Sequence, residues 1–388
     1  MRFVHFSDTH LGYAAFRKIT EAGYNQREED LNNAFIQAID KIIELKPDFA
    51  LHSGDLFDSV RPTNRIIRLA IEQILRLIKN NIPLIMISGN HETPKQRYLG
   101  SVFSILGVLP LPAGRQGYPD NLLKVSHHGI YDQILVKNNL TIHAISQCAN
   151  GELFQKEIEK IQINPQTYNI LTMHCGISGM QEFSHGDFNE LLVDYQFFQN
   201  HKFNYIALGH YHNYIQVGPR AYFAGSTERL SFNEAGKQKG LVEVTLDKET
   251  TVRFHEIKTR PMLELSTINA QDKEINQLTE EIENHIKNAQ PEGKIMRFKV
   301  ENVPSHIFEH LDIKKFREMA KDALHFEPII EKKEDQKNHQ TYKPKIGGLV
   351  EEYGTFINHH PGLSEEEKKE LLQNGQTYLA KVLEESKQ

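Results

Sequence analysis

The chain has 388 residues, 39% hydrophobic and 25% charged, with a formal net charge of −6. That length exceeds one average domain, the composition is that of a globular protein, and no apolar run approaches the roughly 20 residues a membrane span needs. An acidic balance gives no global attraction to nucleic acid, so any DNA contact has to come from local basic surface or bound cations.

Met1 is followed almost at once by a predicted strand over 2–7, which leaves no room for a signal peptide. Cys148 and Cys175 lack the Cys-x-x-Cys spacing and read as small buried hydrophobes in a reducing compartment, so the expected location is the cytoplasm. Short apolar strands alternate with amphipathic helices over the first two hundred residues, which predicts a layered α/β domain. The first strand ends at Asp8 and His10, and Leu31, Ala34, Phe35, Ala38, Ile39 and Ile42 then recur at helical spacing before Pro47. A second strand through Phe49, Ala50 and Leu51 runs into Gly54-Asp55-Leu56-Phe57-Asp58. Ile67, Ala70, Ile71, Ile74, Leu75 and Ile78 mark the next helix, and the strand over 83–87 delivers Ser88-Gly89-Asn90-His91-Glu92. Strands over 169–173 and 205–208 end at His174 and at Gly209-His210-Tyr211-His212. All these strand ends are expected at one edge, where open α/β sheets bind ligands.

After Gly218 the texture changes to shorter strands around 222–226, 240–246 and 251–257, an antiparallel continuation closing a two-sheet core. Arg260-Pro261 reads as a hinge. Beyond it, a strand over 263–267, a helix over 270–288, a strand over 295–300, a helix near 314–323 and a strand over 327–330 predict a small β-α-β-α-β domain. The polar run 331–340 reads as a linker, followed by two amphipathic helices, the last opened by a Ser364–Glu367 capping box. Their apolar stripes fold back on their own domain or dock on a partner. The expected divisions are therefore 1–258, 259–332 and 333–388.

Asp8, His10, Asp55, Asn90, His174, His210 and His212 mix imidazoles with two carboxylates and an amide, which suits Mn²⁺, Zn²⁺ or Fe²⁺ better than Mg²⁺ or Ca²⁺. Asp8-x-His10 and His210-x-His212 use a spacing of two, which at a strand end lets both side chains reach one pocket. Twenty histidines produce such spacings by accident, but five segments at successive predicted strand ends are a stronger signal. His91, beside a ligand, reads as a general acid that binds no metal, or else as an orienting histidine. His52 reads as core, and His127-His128 and His359-His360 as surface. Tyr13, Phe16, Arg17 and Lys18 form an aromatic and basic loop able to reach phosphates, and Lys294, Arg297, Lys299, Lys314, Lys315 and Arg317 a basic face; an ordinary solvated surface is the alternative for each.

Asp8-Thr9-His10, Gly54-Asp55, Gly89-Asn90-His91-Glu92, His174 and Gly209-His210-Tyr211-His212 together resemble the calcineurin-like metallophosphoesterase superfamily. More closely, Phe6 to Tyr13, Gly54 to Asp58, Gly225-Ser226-Thr227-Glu228-Arg229 and Lys239-Gly240 resemble the SbcD-type nuclease subunits of DNA double-strand-break repair, over residues 1 to about 260. The resemblance implies a four-layer α-β-β-α core with a small α/β capping domain and C-terminal helices. It implies that Asp8, His10, Asp55 and His212 hold one ion and Asp55, Asn90, His174 and His210 the other, with Asp55 bridging. Glu92 stands where the family commonly has aspartate. Also implied are two divalent ions, Mn²⁺ foremost, 3'-5' exonuclease action on duplex ends with endonuclease action on single strands, a homodimer, and an SbcC-type coiled-coil ATPase partner bound through 333–388. A phosphoesterase for phosphoproteins or nucleotides is the second reading, although Leu56-Phe57-Asp58-Ser59 departs from the Asp-Arg-Gly continuation of protein phosphatases. A DNA-end scaffold with minor turnover is the third.

Overall fold

A computed structural model of the chain describes residues 1–95, 100–109, 122–136, 139–179, 190–199, 202–333, 349–360 and 363–385. The chain forms two compact units, Met1–Lys333 and Glu334–Gln388. In the first unit, β1 (Arg2–Phe6) leads to α1 (Gln26–Leu45), whose first N–H groups are accepted by the Asn25 side chain. Then come β2 (Phe49–Ser53), α2 (Asn64–Lys79), β3 (Leu84–Ile87), α3 (Phe103–Gly107) and β4 (Leu123–Ser126). The chain continues through β5 (Tyr131–Val136), β6 (Leu140–Ile145), α4 (Gly151–Glu159), β7 (Tyr168–His174), the short β8 (Gly176–Ser178) and β9 (Leu192–Asp194), and α5 (Tyr195–Gln199). It closes with β10 (Tyr205–Gly209), β11 (Ile215–Gly218), β12 (Ala221–Phe223), β13 (Gly240–Leu246) and β14 (Thr250–Glu256).

Two six-stranded sheets result, in the orders β14-β13-β1-β2-β3-β4 and β11-β12-β10-β7-β6-β5. Alternation along the strands decides the layers. Phe3, Phe49, Leu51 and Ile85 of the first sheet meet Leu140, Ile142, Ile170, Tyr205 and Ala207 of the second in one core. Val4, Phe6, Ala50, Leu84 and Met86 face the other way, onto the apolar stripes of α1 and α2. Leu171, Met173, Ile206 and Leu208 likewise cover Phe154 of α4 and Phe198 of α5. The architecture is α-β-β-α, as the sequence led us to expect.

Some details differ. The single antiparallel continuation expected after Gly218 is divided: β12 runs parallel to β10 in the second sheet, while β13 and β14 extend the first sheet from β1. The buried face of α2 carries Ile66, Ala70, Ile74, Leu77 and Ile78, whereas Ile67, Ile71 and Leu75 are only partly covered. The apolar stripe of this helix is wider than its buried face, and Ile67, Ile71 and Leu75 lie along the margin beside Arg68.

Residues 262–332 form a parallel sheet centred on β17 (Ile295–Val303), flanked by β15 (Met262–Glu264), β16 (Ile268–Asn269) and β18 (His325–Lys332). The strand expected over 263–267 is thus two short pieces. α6 (Ile275–Ala289) packs Leu278, Ile282 and Ile286 against Phe298 and Val300, together with Ile307 of α7 (Ser305–Phe308) and Phe316 of α8 (Ile313–Met319). Arg260, read as part of a hinge, is instead clamped. Its guanidinium donates to both Asp30 carboxylate oxygens (2.5 Å each) and to the Gly293 carbonyl (2.6 Å), and its N–H donates to Glu228 (2.9 Å).

The second unit contains α9 (Leu349–Asn358) and α10 (Glu365–Glu385). The capping box forms, with the Ser364 N–H donating to Glu367 (2.8 Å) and the Glu367 N–H to the Ser364 hydroxyl (3.4 Å). The Tyr353 hydroxyl donates to the Leu371 carbonyl (2.8 Å). Residues 334–340 of the expected linker lie outside the described residues. Among the described residues, no helix is long and apolar enough to cross a membrane.

Candidate metal centre

The ends of β1, β2, β3, β7 and β10 converge. Asp8, His10, Asp55 and His210 all adopt positive φ, at 50°, 44°, 55° and 103°. Non-glycine residues take this conformation at a cost, and such residues gather where a fold forces side chains into one cleft. Two glycines make the approach possible. A Cβ on Gly89 would meet Asp55 Oδ1 at 2.2 Å, and one on Gly209 would meet the Ser53 carbonyl oxygen at 2.1 Å. Each glycine before a ligand-type residue therefore serves close contact between neighbouring strand ends.

Three overlapping triads offer ligand atoms within 4.8 Å of one another: Asp8, His10 and His212; Asp8, Asp55 and His174; and His10, Asp55 and His91. Asn90 joins through its Oδ1, 2.9 Å from His174 Nε2. His210 is placed differently. Its N–H donates to Asp8 Oδ1 (2.9 Å) and its ring lies edge-on to His174, but its Nε2 pairs with Glu190 at 2.9 Å. His91 is the more exposed member, its side chain 39% accessible, with Nδ1 3.0 Å from the Asp58 carbonyl and its N–H donating to Asp55 Oδ1 (3.0 Å).

Four carboxylates around the centre escaped the sequence reading, namely the side chains of Asp58, Glu190 and Glu234 and the orienting role of Glu92. Asp58 Oδ1 lies 3.1 Å from His10 Nδ1, and Glu234 Oε1 lies 3.1 Å from His212 Nδ1. Glu92 is buried and accepts the N–H groups of Gly89 (2.7 Å), Asp55 (3.0 Å) and Phe57 (3.4 Å), which ties the β3 end to the β2 end. Burial first, then the Asp55 charge, pushes its carboxyl up to about 8. His52 sits in the core as expected, with burial pushing its imidazole down to about 3.

Burial works to raise the carboxyls of Asp8 and Asp55, but neighbouring imidazoles outweigh it. His174 and His212 hold Asp8 below the usual range, and His174 and His10 hold Asp55 well below it. Conversely, burial works to lower His10, yet its bond to Asp58 and the charges of Asp55 and Asp8 push it up to about 8. His174 is opposed by burial too, but Asp55 pushes it up to about 9. Two ionised, buried carboxylates with imidazoles supplying the compensating positive charge are a donor set that fits divalent cations.

A pH dependence follows. At neutral pH the metal-free chain carries protons on His10 and His174, and an ion taking a nitrogen of either ring must displace them. Raised values mean the competition is strongest below about pH 8 and fades above about pH 9. Divalent-ion affinity is therefore expected to rise across this window with proton release, read as buffer-dependent heat in calorimetry; pH-independent affinity would contradict it.

On the basic surfaces, Arg17 and Lys18 are exposed, while the Tyr13 hydroxyl donates to the Leu230 carbonyl (2.9 Å) and Phe16 stacks on His325 (3.9 Å between centroids). Half of the basic face expected on the small domain is paired with carboxylates, while Lys314 and Arg317 are exposed. Arg297 pairs with Glu264 (2.8 Å), Lys299 with Glu301 (2.7 Å) and Glu331 (3.0 Å), and Lys315 with Glu283. Strands rich in both signs pair their charges across the sheet rather than expose one sign.

A two-sheet sandwich flanked by helices, with carboxylates and imidazoles gathered from five strand ends, defines the metallophosphoesterase class. The model of the family described as calcineurin-like phosphoesterase matches residues 1–214, and the chain belongs to that family. It is similar to proteins named DNA double-strand break repair protein Mre11. The one from Methanococcus maripaludis is 33% identical over 250 residues, covering 62% of this chain and 60% of the relative. The one from Methanocaldococcus jannaschii is 32% identical over 239 residues, covering 60% and 58%. The one from Thermoplasma acidophilum is 29% identical over 278 residues, covering 68% of each. The chain thus spans 60% and 58% of the length of the first two relatives. A dimetal phosphatase from Danio rerio aligns with a TM-score of 0.35 and 10% identity over 65% of this chain and 98% of its own, too slight a likeness to argue from.

Proposed function

We propose that this chain is a two-metal DNA phosphodiesterase, a nuclease of double-strand-break repair. The observation that carries the reading is the set of overlapping triads at the strand ends, with Asp8, His10 and Asp55 each belonging to two of them. The relatives named for double-strand-break repair supply the choice of DNA among phosphoester substrates. Asp8, His10, Asp55 and His212 would hold one ion, and Asp55, Asn90, His174 and His210 the other; the mixed donor set suits Mn²⁺, Zn²⁺ or Fe²⁺, and the resemblance points to Mn²⁺ among them. When bound, such a pair supplies positive charge for a phosphodiester and acidity for an attacking water. His91 fixes one ring nitrogen on the Asp58 carbonyl and gives a proton from the other to the leaving oxygen. Tyr13, Arg17 and Lys18 are the proposed contacts to the DNA backbone, Arg17 and Lys18 being exposed.

The finer reading is 3'-5' exonuclease action on duplex ends and endonuclease action on single strands, in a homodimer whose residues 333–388 bind an SbcC-type coiled-coil ATPase, in the cytoplasm. Its support is the resemblance in the motifs around Asp8, Asp55 and Gly225. A panel of duplex DNA, single-stranded DNA, a phosphopeptide and a cyclic nucleotide, each with added Mn²⁺, tests it. Cleavage of both DNA substrates alone is expected; turnover confined to the phosphopeptide or the nucleotide would overturn the reading.

A further inference from the structure

Ser226 and Lys239 belong to motifs that the ion ligands leave without a task. In the structure both close on His212. Lys239 is 1% exposed, and its ammonium donates to the His212 carbonyl (2.7 Å), the Ser226 hydroxyl (2.9 Å) and Glu234 Oε2 (2.5 Å). The Ser226 N–H donates to the same His212 carbonyl (2.9 Å). Glu234 is itself 4% exposed, and its other oxygen accepts from His212 Nδ1 at 3.1 Å. Residue 212 is therefore gripped twice, at its main chain by Lys239 and Ser226 and at its ring by Glu234.

We infer that Glu234 is a positioning residue for the ion held by Asp8, His10 and His212, and that Lys239 and Ser226 keep Glu234 in place; this rests on the two-metal reading. An imidazole binds an ion through one nitrogen, and the hydrogen bond at the other sets its tautomer, its orientation and its donor strength. Glu234 accepts the hydrogen bond from Nδ1–H, which leaves the Nε2 lone pair on the side of His10, whose Nε2 is 3.2 Å away. A buried glutamate alone would carry an uncompensated charge into the fold, and Lys239 offsets it from the oxygen that does not face the ring. His10 is held by the same device through Asp58, whereas His174 uses the neutral Ser53 carbonyl at 2.9 Å.

The test is Mn²⁺ binding by equilibrium dialysis on the full chain, with the wild type expected to take two ions. Glu234→Gln keeps the size and the acceptor but loses the charge, and is expected to weaken one of the two ions by about 10- to 100-fold while the other is unchanged. In a His212→Ala background the same substitution is expected to add little, because both changes act on one ion. Ser226→Ala, which removes an anchor of Lys239 without altering charge, is expected to give the same selective loss in smaller measure. Wild-type affinity at both ions in Glu234→Gln and Ser226→Ala overturns the inference, as does a Glu234→Gln loss that adds in full to that of His212→Ala. A wild type that binds no pair of ions sinks the two-metal reading instead, so the two failures are distinct.

Discussion

Replacing Asp55 by Asn is expected to reduce bound manganese from two ions per chain to one or none and to cut phosphodiester cleavage by roughly 10³-fold or more. That figure is the several kcal/mol that bound metals contribute to stabilising charge in a transition state. Asp55 is the residue most of the centre leans on. Its Oδ2 lies 3.1 Å from His174 Nε2 and 3.7 Å from His10 Nε2, and its Oδ1 accepts the His91 N–H at 3.0 Å. Asparagine retains an oxygen for the His91 N–H, so the β3 end should stay in place while the charge goes. Two secondary effects separate lost charge from lost fold. The imidazoles of His10 and His174 are raised in part by Asp55, so protons released on binding any remaining ion should diminish. Glu92, raised by burial and by the Asp55 charge, should titrate lower. Manganese content by elemental analysis, with a melting curve of the metal-free chain as control, decides; two ions bound at wild-type affinity would refute the bridging role.

The strand ends were legible because hydrophobic runs that stop at Gly-Asp, Gly-Asn and Gly-His carry their own punctuation. What those glycines avoid was not: the contacts at Gly89 and Gly209 are with residues 34 or more positions away, and no local pattern records them. Aspartate and histidine tolerate positive φ better than most residues, but that leaning does not single out Asp8, His10 and Asp55, whose backbone is set by the tertiary structure. The carboxylates behind the histidines were hidden for the same reason. Asp58 and His10 lie 48 residues apart, and Glu234 and His212 lie 22 apart, each glutamate or aspartate looking like any surface acid until the chain folds. Residues 123–145, for which the sequence reading has no element, hold β4 and β5 at the sheet edges and the fully buried β6. On β17 the carboxylates that pair with Arg297 and Lys299 come in part from the neighbouring parallel strands, a pairing that local sequence does not show.

Replacing His91 by Ala is expected to leave both ions bound and yet lower cleavage of DNA by about 10²- to 10⁴-fold, the range a general acid contributes. The structure supplies the reason for the split. What ties residue 91 to Asp55 is its backbone N–H, which alanine keeps, while the ring nitrogen Nδ1 faces Asp58, 3.0 Å from its carbonyl and 3.6 Å from its carboxylate. The ring is also the accessible one: His10 and His174 are buried, whereas the His91 side chain is 39% exposed and stands edge-on to His10 at 4.6 Å between centroids. A rival role exists in the same geometry, because His91 shares a triad with His10 and Asp55 and could be a ligand. The two roles part on two measurements. A ligand's loss would lower manganese content, and an acid's loss would not. A leaving group that departs without a proton, such as nitrophenolate, would restore most of the lost rate to a chain missing its acid, but nothing to a chain missing an ion. Retained metal with strong dependence on the leaving group therefore assigns the proton to His91; lost metal with equal damage to both substrates moves His91 into the ligand set.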